Sequence, residues 1–252
     1  MPYCLVLDYY INIMSIRDWE GIALIIGSGE IGNRIADYLI NISPKLDVIV
    51  CGRKIDRQNS IFLDIENDNS LTLFEQNISL FEKPIRLVIN ASGFLHSASI
   101  KPEKRLSHIN RNNIIKNFSI NSIAPILIAK SLEKHIRSDL PFSYCSLSAR
   151  VGSISDNKLG GWYSYRASKA AQNQFLKTLS IEWRRKFPLS IVSILHPGTC
   201  DTKLSKPYQS AVPKDKLFSP SQSSEYLVNI ISELKPSDTG KFIAWDSSII
   251  PW

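Results

Sequence analysis

A tyrosine and a lysine four residues apart, Tyr165 and Lys169, are the residues best suited to chemistry in this sequence. Residues i and i+4 share one face of a helix, so the phenol and the ammonium are expected to be neighbours. A free tyrosine titrates near ~10, and a nearby cation lowers that pKa. The pair therefore suits proton transfer to or from a substrate oxygen, although the same spacing also occurs in ordinary surface pairs.

The segment from Ser164 to Lys186 is predicted to be the helix that carries this pair. Its apolar residues recur at spacings of three and four and form one stripe: Ala167, Ala170, Ala171, Phe175, Leu176 and Leu179. The basic residues 184–186 end the helix, where cations complement its dipole.

A glycine-rich turn follows the first predicted strand, the apolar run Ile22–Ile26. The turn reads Gly27-Ser28-Gly29-Glu30-Ile31-Gly32, and helical spacing begins at Ile31. G-x-G-x-x-G between a strand and a helix is the dinucleotide fingerprint. The glycines allow close approach of a pyrophosphate, and the helix N-terminus offers free N–H groups. The alternative is a plain tight turn.

Two basic residues, Arg53 and Lys54, follow the second predicted strand (residues 47–51) where NAD-binding folds place an acidic residue. A guanidinium suits a 2′-phosphate and cannot accept a ribose hydroxyl. The sequence therefore favours NADP over NAD. Solvated turn residues are the alternative, and Glu30 argues against NADP because it adds negative charge near the phosphates.

Small or polar residues follow most of the other predicted strands, which cover residues 61–63, 85–89, 142–147, 190–195 and 241–244. These residues are Asp64 and Ile65, Asn90-Ala91-Ser92-Gly93, Ser148, and Pro197-Gly198-Thr199. Strands that alternate with helices predict a parallel sheet covered on both faces, with ligands at the carboxyl ends of the strands. We therefore expect these residues to meet Tyr165 and Lys169 in one cleft.

A long helix is predicted from Asn110 to Arg137, with Asn121 among its apolar residues and Pro125 just after. A proline removes one backbone hydrogen bond, so the helix should kink near Asn121. The asparagine beside the freed carbonyl is either a structural plug or part of a polar relay.

Composition bounds the remaining possibilities. The chain has 252 residues, 44% of them hydrophobic, which suits one α/β domain over residues 21–252 after an N-terminal extension (1–20) that need not be the native start. The formal charge of +7 is spread out, so nucleic-acid binding is not expected. The longest apolar runs are far shorter than a membrane span, so membrane association is not expected either. Four scattered histidines predict no metal site. Unpaired cysteines in apolar runs favour a reducing, cytoplasmic location.

From about Ile22 to its end, the chain resembles the short-chain dehydrogenase/reductase family, and within it the C-factor-like branch. The resemblance rests on ordered motifs: GSGEIG at 27–32, NASG at 90–93, Asn121, Ser148, Tyr165 with Lys169, HPGT at 196–199, and the branch segments 148–154 and 160–169. It implies a Rossmann fold, a three-layer α/β/α sandwich whose seven-stranded parallel sheet has the order 3-2-1-4-5-6-7. It also implies hydride transfer between a nicotinamide and a small carbonyl or alcohol substrate, in a homodimer or homotetramer.

The resemblance also implies residue roles. Tyr165 would be the general acid, Lys169 would hold the nicotinamide ribose, and Asn121 would hold a relay water. Asp64 would meet the adenine, Asn90 would line the cofactor cleft, and Pro197, Gly198 and Thr199 would border the nicotinamide.

Three departures from the family pattern bear on activity. The glycine loop is two residues shorter than usual, and the usual NNAG motif reads NASG. Many relatives have Ser-Ser where this chain has Ser148-Ala149, and the second serine is usually the catalytic one. Ser148, Ser153 or no serine could then serve as the hydroxyl donor. The alternative function is that of a signalling or regulatory protein that binds a dinucleotide without turnover.

Overall fold

A parallel sheet of seven strands forms the centre of the protein in the computed structural model, which describes residues 15–252. In chain order the strands are β1 (Gly21–Ile26), β2 (Leu46–Gly52), β3 (Ser60–Phe62), β4 (Ile85–Asn90), β5 (Phe142–Leu147), β6 (Ser190–His196), β7 (Thr199–Cys200), β8 (Leu217–Phe218) and β9 (Phe242–Ala244). The main sheet has the order β3-β2-β1-β4-β5-β6-β9, and β7 pairs with β8 in a separate small sheet. The predicted Rossmann order is confirmed, with β9 as the seventh strand of the main sheet.

Helices cover both faces of this sheet. They are α1 (Glu30–Ile42), α2 (Asp68–Ser79), α3 (Arg111–Phe118), α4 (Ala124–Leu132), α5 (Tyr163–Lys186) and α6 (Pro220–Glu233). Alternate residues of a strand point to opposite faces. Accordingly Leu24 of β1 packs in one core with side chains of α2, α4 and α5, whereas Ile25 packs in the other with those of α1 and α6. The predicted three-layer architecture is confirmed.

The element bounds differ from the predictions in small, explicable ways. Strand β3 begins one residue earlier than the predicted residues 61–63. Residues 225–234 are predicted to form the last helix. Helix α6 begins earlier, at Pro220, because Ser219 and Gln222 form a capping box at its N-terminus. Phe175 was predicted to lie in the apolar stripe of α5, but its side chain is 42% exposed. Polar residues such as Gln172 fill part of the buried face instead.

The long helix predicted over residues 110–137 is divided by a π-helical segment, Ser119–Ile123. Pro125 cannot donate the hydrogen bond that would reach the carbonyl of Asn121. The register widens by one residue there, and the Ala124 N–H bonds to the Ser119 carbonyl. The predicted irregularity at Asn121 is therefore confirmed as a π-bulge, which suits a functional position.

The described part of the N-terminal extension packs on the domain. Ile16 and Trp19 are buried in the core beside α1 and α6, and the Arg86 guanidinium lies 4.7 Å from the centre of the Trp19 ring. Residues 1–14, including the other part of the predicted extension, lie outside the described residues. Over residues 15–252, no helix is long and apolar enough to cross a membrane.

Candidate functional site

The glycine turn brings the start of α1 against the carboxyl ends of β1 and β4. Gly27 has a φ of 112°, a backbone conformation that residues with a side chain rarely adopt. A Cβ at Gly32 would lie 2.0 Å from the Gly27 carbonyl oxygen, so only glycine permits this helix–strand contact. Helix α1 begins directly after Gly29, and a Cβ on Gly29 would meet nothing within 4 Å. Free helix N–H groups therefore face open space that suits a phosphate.

A cavity of about 500 Å³ extends from this turn along the ends of β2, β3 and β4. Its lining includes most of the predicted cofactor residues: Gly27, Ser28, Gly29, Arg53, Asp64, Ile65, Ala91, Ser92 and Gly93. The Lys54 N–H lies 3.4 Å from the Ser28 hydroxyl, so the basic turn after β2 adjoins the glycine turn. The cavity thus offers cations, small residues and carboxylates to one end of a dinucleotide.

Glu30, whose charge argued against NADP, bonds to a different part of the chain. Its carboxylate accepts a hydrogen bond of 2.9 Å from the backbone N–H of Lys203, in the loop after β7. Glu30 does not line the cavity that holds Arg53. Ile31 lines the neighbouring cavity that contains Tyr165, so the helix start separates the two spaces.

Asn90 and Asn121 fix the loop that follows β4. Asn90 is fully buried; its amide donates to the Ser146 hydroxyl at 2.9 Å, and its carbonyl oxygen accepts from the Ser92 N–H and hydroxyl. Asn121 bonds to both the N–H and the carbonyl of Phe94 at 2.8 Å. These contacts match the structural-plug alternative for Asn121. They also hold Ala91–Gly93 against the cofactor cavity, which Asn90 itself does not line.

Tyr165 lies in a second cavity, of about 420 Å³, at the ends of β5 and β6. Its side chain is buried, and burial raises the pKa of the phenol above its ordinary value. The predicted lowering of this pKa by Lys169 is therefore wrong for this structure, because desolvation of the phenolate dominates. The phenol is protonated at neutral pH.

Lys169 is buried one helical turn from Tyr165. Its ammonium donates to the Leu147 carbonyl at 3.0 Å and to the Gln172 side-chain oxygen at 2.9 Å. Burial lowers the pKa of Lys169 to about 7. A Cβ placed on Gly93 would lie 3.9 Å from the Lys169 nitrogen and 3.8 Å from the Asn121 side-chain oxygen. Lys169 and Asn121 therefore lie beside Gly93, which lines the first cavity, two residues before Leu95, which lines the cavity of Tyr165.

The serine hydroxyls of Ser148 and Ser153 each form a hydrogen bond within the protein. The buried Ser148 hydroxyl donates to the Asn173 side-chain oxygen at 2.7 Å, and the buried Ser153 hydroxyl accepts from the Asp156 N–H at 3.1 Å. Both Ser148 and Ala149 line the cavity, whereas Ser153 does not. The position after Ser148 thus faces the substrate space as an alanine, without a hydroxyl.

The turn after β6 closes the other side of the same cavity. Pro197, Gly198 and Thr199 all line it, as does His196, whose pKa is lowered to about 4 by burial and by Arg150. Gly198 has a φ of 75° and packs against Phe218 and Trp245. The turn therefore meets Tyr165 as predicted from the strand order.

Two aromatic residues of this cavity were missed by the sequence interpretation. Trp162 and Tyr208 both line it, and their ring centres lie 5.0 Å apart in an edge-to-face contact. Tyr208 belongs to a short 3-10 helix, Lys206–Ala211, between β7 and β8. An aromatic residue next to the Tyr165 motif was a usable signal for Trp162, whereas nothing local marks Tyr208.

Over residues 15–252, no cluster of three or more histidine, cysteine or acidic side chains could hold a metal ion. Three cysteines, Cys51, Cys145 and Cys200, are buried with free thiols, and burial raises the pKa of each. The predicted thiol Cys4 lies outside the described residues.

Comparison with solved structures supports the fold. The carbonyl reductase Sniffer of D. melanogaster is 20% identical with a TM-score of 0.79, over 93% of this chain and all of that one (100%). The NADPH-bound carbonyl reductase from chicken fatty liver is 21% identical with a TM-score of 0.79, over 95% of this chain and 100% of that one.

Sequence comparison identifies relatives that are about a quarter identical to this chain. The C-signal of Myxococcus xanthus is 26% identical over 148 residues, which cover 58% of this chain and 83% of that protein. The 1-hydroxy-2-glutathionyl-2-methyl-3-butene dehydrogenase of a Rhodococcus species is 25% identical over 192 residues, 75% of this chain and 78% of that protein. The family model for short chain dehydrogenases matches residues 21–213. With the glycine turn, the tyrosine–lysine helix and the strand order in place, the chain belongs to the short-chain dehydrogenase family of oxidoreductases.

Proposed function

We propose that this protein is an NADP-dependent oxidoreductase that transfers a hydride between the nicotinamide and a small carbonyl or alcohol substrate, with Tyr165 as the general acid or base. The observation that carries the proposal is the shared cavity of Tyr165, Ala149 and Pro197–Thr199, which adjoins the glycine turn through Ile31. A substrate held there lies beside both the phenol and the end of the dinucleotide site.

The residues present fit a bound NADP. The N–H groups at the start of α1 face the open space beside Gly29 and suit the pyrophosphate. Arg53 and Lys54 line the same cavity and suit the 2′-phosphate, while Asp64 and Ile65 would contact the adenine. Both the NADPH named for the chicken reductase and the basic turn support NADP over NAD.

The protonation states favour carbonyl reduction. The nicotinamide supplies the hydride when bound. Tyr165 carries its proton at neutral pH and donates it to the carbonyl oxygen. Lys169, with a pKa of about 7, can then return a proton toward the phenol at neutral pH. Ser148, already bonded to Asn173, would support the wall of the cavity.

Two measurements test the proposal. NADPH oxidation is followed by absorbance with a panel of aliphatic and aromatic aldehydes and ketones, and turnover of at least one is expected. Isothermal titration then compares the cofactors with the wild type and Arg53→Ala. Loss of a charge-assisted contact worth about 1.5–3 kcal/mol predicts about a 10- to 100-fold weaker NADP affinity and an unchanged NAD affinity.

The matched control for this titration is Arg34→Ala, because Arg34 is an exposed arginine on α1 that pairs with Asp37. It should leave both affinities unchanged. Equal NADP affinity in the wild type and Arg53→Ala would refute the assignment of Arg53.

A second candidate function follows from Ala149. Without a hydroxyl at this place in the cavity wall, the protein would bind NADP as a signalling or regulatory ligand and turn nothing over. Tight NADPH binding without oxidation of any carbonyl in the panel, together with a cellular phenotype that survives Tyr165→Phe, would support this function.

A further inference from the structure

Helix α5, which carries Tyr165 and Lys169, starts from an unusual backbone turn. Gly160, Gly161 and Trp162 have φ values of 65°, 65° and 50° in succession. A bulky residue such as Trp162 rarely adopts this left-handed conformation. It persists only where surrounding contacts determine it.

Glu103 supplies those contacts from a distant part of the chain. Its side chain is 2% exposed, and its backbone carbonyl accepts the Trp162 N–H. Its carboxylate accepts the Ser164 N–H at 3.1 Å and also the Ser164 hydroxyl. A carboxylate that accepts N–H groups in the first turn of a helix is favoured by charge-assisted bonds and by the helix dipole.

These bonds fix the two residues Trp162 and Ser164, which both lie within three positions before Tyr165. Ser164 immediately precedes Tyr165, and the Trp162 ring centre lies 6.1 Å from that of Tyr165. Trp162 also lines the substrate cavity and packs against Tyr208, whereas Glu103 does not line it. Glu103 therefore lies outside the lining of the cavity, but it holds the segment that carries Trp162 and Tyr165.

We propose that Glu103 is a positioning residue for the reaction: its carboxylate and carbonyl lock the Gly160–Trp162 turn and the first turn of α5, and so set the position of Tyr165 and of the Trp162 wall. The proposal rests on the function proposed above. It goes beyond that function because Glu103, a buried acid outside the cavity, would determine where the tyrosine that transfers the proton lies.

Three substitutions separate position from charge. Glu103→Ala removes both side-chain bonds, and a displacement of the phenol by a fraction of an ångström should lower kcat about tenfold or more. Glu103→Gln can still accept the Ser164 N–H and donate to its hydroxyl, so kcat should stay within about threefold of the wild type. Ser164→Ala removes one bond alone and gives a smaller loss of kcat, which keeps the test valid if Glu103→Ala does not fold. NADPH affinity should be unchanged in all three.

The matched control is Asp238→Ala, because the Asp238 carboxylate also accepts a backbone N–H at the start of a helical turn, that of Lys235 at 2.8 Å. This turn precedes β9 and lies at the end of the sheet opposite the site. Asp238→Ala should reduce stability and leave kcat unchanged. A kcat loss in Glu103→Gln as large as that in Glu103→Ala would overturn the proposal. A kcat equal to that of the wild type in all the Glu103 and Ser164 variants would also overturn it.

Hydrogen exchange gives a readout that does not depend on turnover. The amides of residues 162–166 should exchange at least tenfold faster in Glu103→Ala than in the wild type, and near the wild-type rate in Glu103→Gln. Unchanged exchange in Glu103→Ala would overturn the proposal. Failure of the function itself would look different, because an inactive wild-type protein would still show faster exchange in Glu103→Ala.

Discussion

At the scale of single residues, Ala149 is the position that sets the expected level of activity. It lines the cavity of Tyr165 in an extended backbone conformation with φ of −140° and ψ of 143°, which a serine adopts without strain. The Ser148 hydroxyl donates to Asn173, and Ser153, whose hydroxyl accepts from the Asp156 N–H, does not line the cavity. We therefore expect the reaction to proceed without a full set of hydrogen-bond donors to the carbonyl oxygen.

Ala149→Ser should consequently increase activity. One added oxyanion donor is worth about 10²–10³ in rate where it is fully used, so we expect kcat to rise by about tenfold or more. The measurement is steady-state NADPH oxidation with the best substrate of the panel. Ala167→Ser, on the exposed face of α5, is the control and should change nothing. An unchanged kcat in Ala149→Ser would show that another group already fills this role.

The sequence predicted which residues meet at the site but not their protonation. Tyr165 of α5 shares one cavity with Ser148 and Pro197–Thr199, whose places after β5 and β6 indicated that they would meet. The direction of the Tyr165 pKa was wrong, because the i, i+4 spacing carries no information about desolvation. The pKa depends on how deeply the folded chain buries the phenol.

At the scale of elements, the contact between β1 and α1 determines whether the dinucleotide site can form. The two glycines Gly32 and Gly29 differ sharply in their surroundings. A Cβ at Gly32 would lie 2.0 Å from the Gly27 carbonyl oxygen, whereas one at Gly29 would meet nothing within 4 Å.

Gly32→Ala should therefore push α1 away from β1. Overpacking of this kind costs about 1–3 kcal/mol, so we expect a lower free energy of unfolding and a weaker NADPH affinity. Urea unfolding followed by circular dichroism measures the first, and titration measures the second. Gly29→Ala is the matched control for stability, which it should leave within about 0.5 kcal/mol of the wild type. A Gly32→Ala protein as stable as Gly29→Ala would contradict the proposed packing.

The type of each element was predicted from periodicity, whereas the ends and irregularities of elements depend on individual hydrogen bonds of the backbone and of side chains. Strand β1 was predicted from its apolar run, and Pro125 indicated the irregularity at Asn121. The form of that irregularity, a π-bulge, depends on the Ala124 to Ser119 bond, which sequence spacing does not specify. The early start of α6 at Pro220 depends on the capping box of Ser219 and Gln222, a short signal that the helical periodicity concealed.

At the scale of the whole molecule, the buried Lys169 couples folding to pH. The pKa of Lys169 is about 7 in the folded protein, compared with 10.5 for an ordinary lysine side chain, the value we take for the unfolded chain. Between these values the unfolded chain binds more protons than the folded one, so the free energy of unfolding rises with pH. The penalty for burying the ammonium is greatest below pH ~7.

Lys169→Met should remove this contribution. Between about pH 7 and 8.5, the wild type should gain up to ~1.4 kcal/mol of stability per pH unit relative to the variant. Urea unfolding of both proteins at several pH values measures the difference, in which the other titrating groups largely cancel. Parallel pH profiles would contradict a lowered pKa for Lys169.

The assembly of the molecule stays a prediction. Apolar side chains on the helices that carry the site are partly exposed: Ile115 by 58%, Ile123 by 44% and Phe175 by 42%. Their exposure is compatible with the expected homodimer or homotetramer, which light scattering of the purified protein would measure. The expected cytoplasmic location likewise stays a prediction.

We propose that Tyr165 transfers the proton in an NADP-dependent reaction. The most direct test compares kcat for NADPH oxidation in the wild type, Tyr165→Phe and Tyr163→Phe. Tyr163 lies two residues earlier on the same helix and is 42% exposed, so its loss should leave kcat unchanged. Loss of the general acid should lower kcat by about 10²–10⁴ in Tyr165→Phe with unchanged NADPH affinity. Turnover by Tyr165→Phe at the wild-type rate would contradict the account.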